Sequence, residues 1–333
     1  MGKRQIVECQ NKQERKQRRR QLGSLQQLVI KRSTELRYER AFRCFLQYLS
    51  GERQSLGATK ERVDTQAQEF IEFLWEEGEG QSFAADVLSA IQHYQPSMRR
   101  CLNGSWRLIK TWQRYEIPAR APPITWQILQ ILMGFFHQQY QSPEVALGLG
   151  VAFRCLLRTG ELLALQARDV VIPAGSHSAV LYLGETKTSP RYPHAGTVSC
   201  HDATLVDLLR MWKSTCDPEA FLVPWTQSRF RSAFSSALIT LRLDHYQYKP
   251  YSLRRGGATD LWLTCRSYSQ VAHTGRWSAE RTVKVYIQDS IAFLTELTFQ
   301  TSPIHTKFLH HWQEVTRSCV EPRRKSTKRG RGR

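Results

Sequence analysis

From Ser33 onward, apolar residues recur at the three- and four-residue spacing of amphipathic helices. Leu36, Phe42, Phe45, Leu46 and Leu49 form one stripe behind a Ser33 cap, and Ala67, Phe70, Ile71 and Leu74 form a second behind Asp64, with Gly78 as its stop. A third stripe runs from Ser82 through Val87, Leu88 and Ile91. A fourth begins near Pro96 and sets Leu102, Trp106 and Ile109 on one side. Residues 33–116 therefore read as a small four-helix domain. Ile117-Pro-Ala-Arg-Ala-Pro-Pro123 then interrupts every period, and its three prolines make 117–123 a stiff, extended linker.

Beyond the linker, Thr125 to Phe136 reads as a helix, and Ser142-Pro143-Glu144 caps a longer one carrying Leu149, Phe153, Leu156 and Leu157. Between residues 170 and 200 the period shortens. Val170 to Ile172, Ala179 to Leu183 and Thr197 to Ser199 are short apolar or β-branched runs, separated by turn residues, which predicts a small antiparallel sheet with Lys187 near a hairpin turn. Helical spacing returns at Leu205, Leu208, Leu209 and Trp212, and again at Phe230, Phe234, Leu238 and Leu241. Ile291, Phe293, Leu294 and Leu297, then Phe308, Leu309 and Trp312, predict one or two further amphipathic helices. These either pack on their own domain or serve assembly. The fold class is mainly α with a small antiparallel β-sheet, the second domain spanning 124–316.

Charge narrows the partner. Lys and Arg outnumber Asp and Glu by 48 to 29, for a net charge of +19, so the expected partner is a polyanion, with nucleic acid ahead of an anionic membrane. The longest apolar run, Val145 to Leu157, is interrupted by Arg154 and is too short to span a bilayer. Residues 1–32 carry Lys12, Arg15, Lys16, Arg18, Arg19 and Arg20 among glutamines, a basic arm expected to be disordered or helical only on DNA. Lys16 to Arg20 also fits a nuclear-import signal, and residues 1–20 contain no secretory apolar region. Residues 317–333 form a second basic, disordered tail. On the fourth helix Arg100, Arg107, Lys110 and Arg114 recur on one face, which is either simply solvated or a contact surface for DNA phosphates.

The eight cysteines are scattered without C-x-x-C pairs, as expected of reduced thiols in an intracellular protein, with Cys44 and Cys155 as core residues. The sequence contains no P-loop, no dinucleotide fingerprint and no carboxylate cluster suited to two metals, so no metal and no cofactor are expected. What chemistry it does offer is concentrated elsewhere. Arg158-Thr-Gly-Glu161 places a carboxylate three residues after an arginine, as its ion-pair partner or as part of a site. Tyr251-Ser-Leu-Arg254, Gly275-Arg-Trp277-Ser and Tyr286 bring a guanidinium, an indole N–H and a phenol into one short C-terminal segment. Such groups suit the holding and attack of a phosphodiester.

In this order and at these intervals, the motifs resemble those of the tyrosine recombinases, the phage-integrase-like enzymes of DNA strand exchange; the wording Leu-Leu-Arg-Thr-Gly-Glu-Leu with Gly-Arg-Trp-Ser is closest to recombinases of eukaryotic mobile elements. The resemblance implies a helical core-binding domain over 33–116 and an α+β catalytic domain over 124–316. It implies catalytic roles for Arg158, Lys187, Tyr251, Arg254, Trp277 and Tyr286, with Glu161 behind Arg158. Arg158 and Arg254 would clamp the scissile phosphate in place of metal ions, Tyr286 would form a 3′-phosphotyrosine, Lys187 would protonate the departing 5′-oxygen, and the Trp277 indole would donate to the phosphate. No ATP is needed, because the covalent link retains the energy of the phosphodiester. The implied partner is double-stranded DNA, bound by a homo-oligomer in a tetramer-type synapse, with a C-terminal helix docked on a neighbouring protomer; the implied location is intracellular, at DNA, and nuclear in a eukaryote. Two departures stand out: Tyr251 occupies the usual histidine position, and Thr-Gly follows Arg158 instead of preceding it. A catalytically inactive DNA-binding descendant and a type IB topoisomerase-like activity are the alternatives. Arg255, Tyr268 and His273 compete for the roles of Arg254, Tyr286 and Trp277, but each breaks the expected spacing.

Overall fold

A computed structural model describes residues 11–26, 28–116, 120–184 and 196–327, with the backbone alone at 18 and 319–327. The chain divides into two compact units, the division falling between Ala119 and Arg120.

The first unit opens with α1 (Lys12–Leu22), within the arm expected to be disordered or helical only on DNA. Asn11 accepts the Glu14 N–H, Glu14 lies in the first turn, and Arg19 and Arg20 lie in the last, so the cap and the helix dipole favour helix without burial. Then follow α2 (Arg32–Gly51), α3 (Lys60–Glu76), α4 (Gln81–Tyr94), a short 3-10 turn at Pro96–Met98, and α5 (Asn103–Tyr115). Ala41, Phe45 and Leu49 face the core of α2, whereas Leu36 and Leu46, assigned to that stripe by sequence, are 50% and 38% exposed. At about 100° per residue, Leu36 lies half a turn round the helix from Phe45. Nor does Ser33 cap α2, which starts one residue earlier behind Lys31.

Asp64 is not the cap of α3 either. That cap is Thr59, and Asp64 instead reaches across to α5, where its carboxylate accepts the N–H groups of Gly104 (2.9 Å) and Ser105 (3.0 Å) and the Ser105 hydroxyl (2.6 Å). The fourth helix therefore begins at Asn103, not near Pro96. Gly78 ends α3 with φ of 72°, as its position implied.

The second unit runs α6 (Trp126–Gln138), α7 (Pro143–Arg154), α8 (Thr159–Leu162), β1 (Val170–Val171), β2 (Ala179–Tyr182), β3 (Thr197–Cys200), α9 (Ala203–Thr215), α10 (Gln227–Thr240), α11 (Tyr251–Cys265), α12 (Tyr268–Gly275), α13 (Glu280–Tyr286), α14 (Asp289–Thr298) and α15 (Pro303–Thr327). The three strands are antiparallel in sequence order; Val170 faces Leu181 and Leu181 faces Val198, so the buried residues alternate with exposed ones. The molecule is thus mainly helical with one small sheet. Helices α6 and α7 supply the largest share of the core, and α11 crosses them closely. At Gly257 an added Cβ would overlap the Phe153 carbonyl of α7, so only glycine admits this approach, and the approach fixes the start of α11 where Arg254 lies.

Helix α15 closes its own unit: Phe308 and Trp312 enter the core, His305 bonds the Leu241 carbonyl (2.6 Å), and His311 bonds His137 of α6 (3.0 Å). Its backbone continues to Thr327, so residues 317–327 of the expected disordered tail are helical; 328–333 lie outside the described residues. In α14 the inner face is Ala292 and Thr295, and Phe293, Leu294 and Leu297 are about 60% exposed or more. Among the described residues no helix is long and apolar enough to cross a membrane.

Candidate active site

The site is built where α7 ends. Leu156 takes a left-handed conformation (φ 48°), which turns the chain after Arg154 and delivers Arg158 to the N-terminus of α8. Glu161, in the first turn of that helix, accepts the Arg158 backbone N–H with one oxygen (2.8 Å) and its guanidinium with the other (2.6 Å). The Thr-Gly after Arg158 is therefore the first turn of a helix, and the turn comes before the arginine, at Leu156. Glu161 is almost wholly buried, yet it holds a second guanidinium: Arg276 Nη2 lies 2.7 Å from its other oxygen.

Helix α11 starts behind Pro250 and carries Tyr251 and Arg254 one turn apart, hence on one face. Arg254 is 1% exposed and bonds the carbonyls of Leu156 and Gly275. Its guanidinium lies 4.4 Å over the Trp277 ring, whose centroid is in turn 4.4 Å from that of Tyr286. Tyr286 ends α13, and Arg255 anchors that helix by donating to the Val285 carbonyl (2.8 Å). The Tyr251 and Tyr286 hydroxyls are hydrogen-bonded to each other.

Electrostatics give the two phenols different roles. Burial, and then the bond to Tyr286, pushes Tyr251 up to about 12, so it retains its proton and donates it. Burial alone would raise Tyr286 as well. The hydrogen bond from Tyr251, the adjacent Trp277 indole and the charges of Arg254 and Arg158 outweigh burial and bring it below the ordinary tyrosine value. Arg254 is lowered to about 10 by burial and by the neighbouring Arg158 and Arg276, and is still a cation at neutral pH. Three guanidiniums around one carboxylate leave the cluster positive, able to attract an anion and to favour a phenolate beside it.

Arg158, Glu161, Tyr251, Arg254, Trp277 and Tyr286 thus converge, from four separate stretches of chain. The Trp277 ring lies between the Arg254 guanidinium and the Tyr286 ring, and its indole helps to lower that phenol. Lys187 lies outside the described residues, on the connection between β2 and β3. Of the competitors, Arg255 serves α13, Tyr268 packs against Trp262 and Lys284, and His273 is exposed. Sequence reasoning gave no role to Arg276. Its adjacency to Trp277 was a signal, but only the left-handed backbone at Arg276 (φ 58°) turns the side chain inward.

In the first unit, Arg107, Lys110 and Arg114 lie on the exposed face of α5, opposite the buried Ser105, Ile109 and Trp112. Arg100 does not belong to that face; it sits in the turn before α5 with φ of 63°. Among the described residues, no group of three or more His, Cys, Asp and Glu could hold a metal ion.

No protein-family model matches the chain, and no curated protein matches it in sequence. Solved structures do match. The integrase of transposon Tn1549, in complex with transposon right-end DNA, superposes with a TM-score of 0.56 at 14% identity, covering 85% of this chain and 98% of that one. Two complexes of the same integrase with circular-intermediate DNA give TM-scores of 0.56 and 0.53, each at 14% identity and covering 81% of this chain and 95% of that one. The helical architecture with its small sheet is accordingly a fold shared with the Tn1549 integrase.

Proposed function

We propose that this protein is a tyrosine site-specific DNA recombinase that cuts and rejoins strands through Tyr286, in the integration or excision of a mobile element. The observation that carries the reading is the environment of the Tyr286 hydroxyl, which is hydrogen-bonded to Tyr251, with the Trp277 ring packed against the phenol and the charges of Arg254 and Arg158 beside it. A phenol in that setting is activated as a nucleophile, and the same cations suit the non-bridging oxygens of a phosphodiester.

In the proposed reaction the Tyr286 oxygen attacks phosphorus and gives up its proton to solvent. The bond from phosphorus to the 5′-oxygen breaks, Lys187 supplies a proton to that oxygen, and the strand is left as a 3′-phosphotyrosine. Attack by the 5′-hydroxyl of another strand reverses the step and releases Tyr286. Tyr251 cannot act as a general base as an imidazole would, and its contribution is the hydrogen bond that holds the nucleophile. Entry of a phosphate would draw the guanidiniums away from the carbonyls they now bond.

The related integrase structures contain DNA, which supports double-stranded DNA as the partner here. The exposed face of α5 offers phosphate contacts, and the exposed apolar face of α14 fits a second copy of the chain in a homo-oligomeric synapse on DNA. The basic stretch Lys16 to Arg20 is consistent with action in the nucleus of a eukaryotic host.

Incubation with a nicked duplex tests the reading. A covalent protein–DNA adduct is expected from the wild-type chain and none from Tyr286→Phe; an adduct that persists in Tyr286→Phe, or none from either, overturns it. Strand exchange between two cognate duplexes, as opposed to supercoil relaxation alone, separates recombination from topoisomerase-like activity.

A further inference from the structure

We infer that Arg276 is a positioning residue that keeps Arg158 available to the phosphate by taking up half of the Glu161 carboxylate. The inference rests on the strand-cleavage reading above and assigns to that site a residue outside its motif set. Glu161 solves one problem and creates another. It orients Arg158 through the side chain and the backbone N–H, but an almost wholly buried carboxylate beside a single guanidinium would cancel the charge that an incoming phosphate needs.

Arg276 resolves the conflict. Its side chain is 5% exposed, its Nη2 binds Glu161 Oε2 at 2.7 Å, and the same guanidinium reaches the carbonyls of Cys155 and Leu156 at 3.4 and 3.3 Å. It therefore braces the turn that delivers Arg158 as well as sharing the carboxylate. With Arg276 present, Glu161 has a cation on each oxygen, and the cluster remains positive after Glu161 is counted. The charges of Arg254 and Arg158 lower the Tyr286 phenol, and Arg276 acts through Glu161 and Arg158.

The test is single-turnover cleavage of a nicked duplex, measured with DNA affinity and melting temperature, for wild type, Arg276→Lys, Arg276→Met and the double variant Arg276→Met, Glu161→Gln. Arg276→Met leaves Glu161 to Arg158 alone, and cleavage is expected to fall by about 10- to 100-fold with DNA affinity unchanged. Neutralising Glu161 in the same chain restores the net charge of the cluster, so the double variant is expected to recover about tenfold of that loss. A purely structural Arg276 predicts the opposite, a double variant as slow as the single or slower. Arg276→Lys keeps the charge and reaches fewer acceptors, and is expected to cleave within about tenfold of wild type. Should Arg276→Met fail to melt cooperatively, Arg276→Lys decides: a natively melting lysine variant that cleaves no DNA overturns the inference. Equal rates for Arg276→Met and wild type overturn it too, leaving the strand-cleavage reading intact, whereas a wild-type chain that forms no adduct sinks both.

Discussion

The Tyr251 hydroxyl is hydrogen-bonded to the Tyr286 hydroxyl, and the two phenols are displaced in opposite directions, Tyr251 up to about 12 and Tyr286 below its ordinary value. One phenol keeps its proton so that the other can lose one. Where a histidine would offer a lone pair to accept a proton, Tyr251 offers a donor, which lowers the cost of forming phenolate at Tyr286.

Replacing Tyr251 by Phe removes that donor and keeps the ring. Burial then acts on Tyr286 with less to oppose it, so its pKa rises and less of it is phenolate at any given pH. Cleavage near neutral pH is expected to slow about tenfold, the scale of one hydrogen bond to a charged group. The rising limb of the rate–pH profile is expected to move to higher pH. An unchanged limb would mean that Tyr251 donates nothing in the reacting complex.

The basic face of α5 gives a salt-dependent prediction. Changing Arg107, Lys110 and Arg114 together to Gln removes three exposed cations from one face without touching the buried Ile109 and Trp112. If all three contact phosphates, the slope of log affinity against log salt is expected to shrink by about 3. Arg100, off that face, is expected to contribute separately, and titration of DNA binding between low and moderate salt checks both.

Asp64 offers a prediction about folding. It satisfies two backbone N–H groups and one hydroxyl at the start of α5, 40 and 41 residues further along the chain. Asp64→Ala is expected to destabilise the first unit by about 1–3 kcal/mol, the cost of leaving such groups unsatisfied. Chemical denaturation of the full chain, followed through the Trp75–Trp112 pair, reads this out.

The apolar face of α14 makes assembly testable. Phe293→Ser with Leu297→Ser replaces two side chains at 60% and 67% exposure, so the melting temperature is expected to hold. Sedimentation of the protein on a paired-site duplex is expected to show fewer copies bound together, and strand exchange to fall further than cleavage of a single site. Undiminished assembly would remove α14 from the interface.

Much of this was readable in the chain because periodic burial leaves a periodic signature: the stripes of α3, α4 and α10 appear in sequence as they do in the core. Tyr251, Arg254, Trp277 and Tyr286 were readable because short spacings on neighbouring helices carry them. What escaped depends on direction or distance. Leu36 is apolar but half a turn from the buried row, Arg100 falls in a turn where helical spacing does not apply, and Asp64 finds its partners on another helix. Arg276 escaped because a left-handed residue reverses its side chain, and no pattern of apolar spacing encodes that.

The Leu156 carbonyl receives both Arg254 and Arg276. The junction of these two arginines is therefore an atom that every amino acid possesses. Drift in the identity of residue 156 leaves that oxygen in place, provided the newcomer tolerates the left-handed backbone, which disfavours valine, isoleucine and threonine. Adding or deleting a residue between Arg154 and Arg158 does not. Related chains are expected to vary in the letter at this point and to hold the count constant.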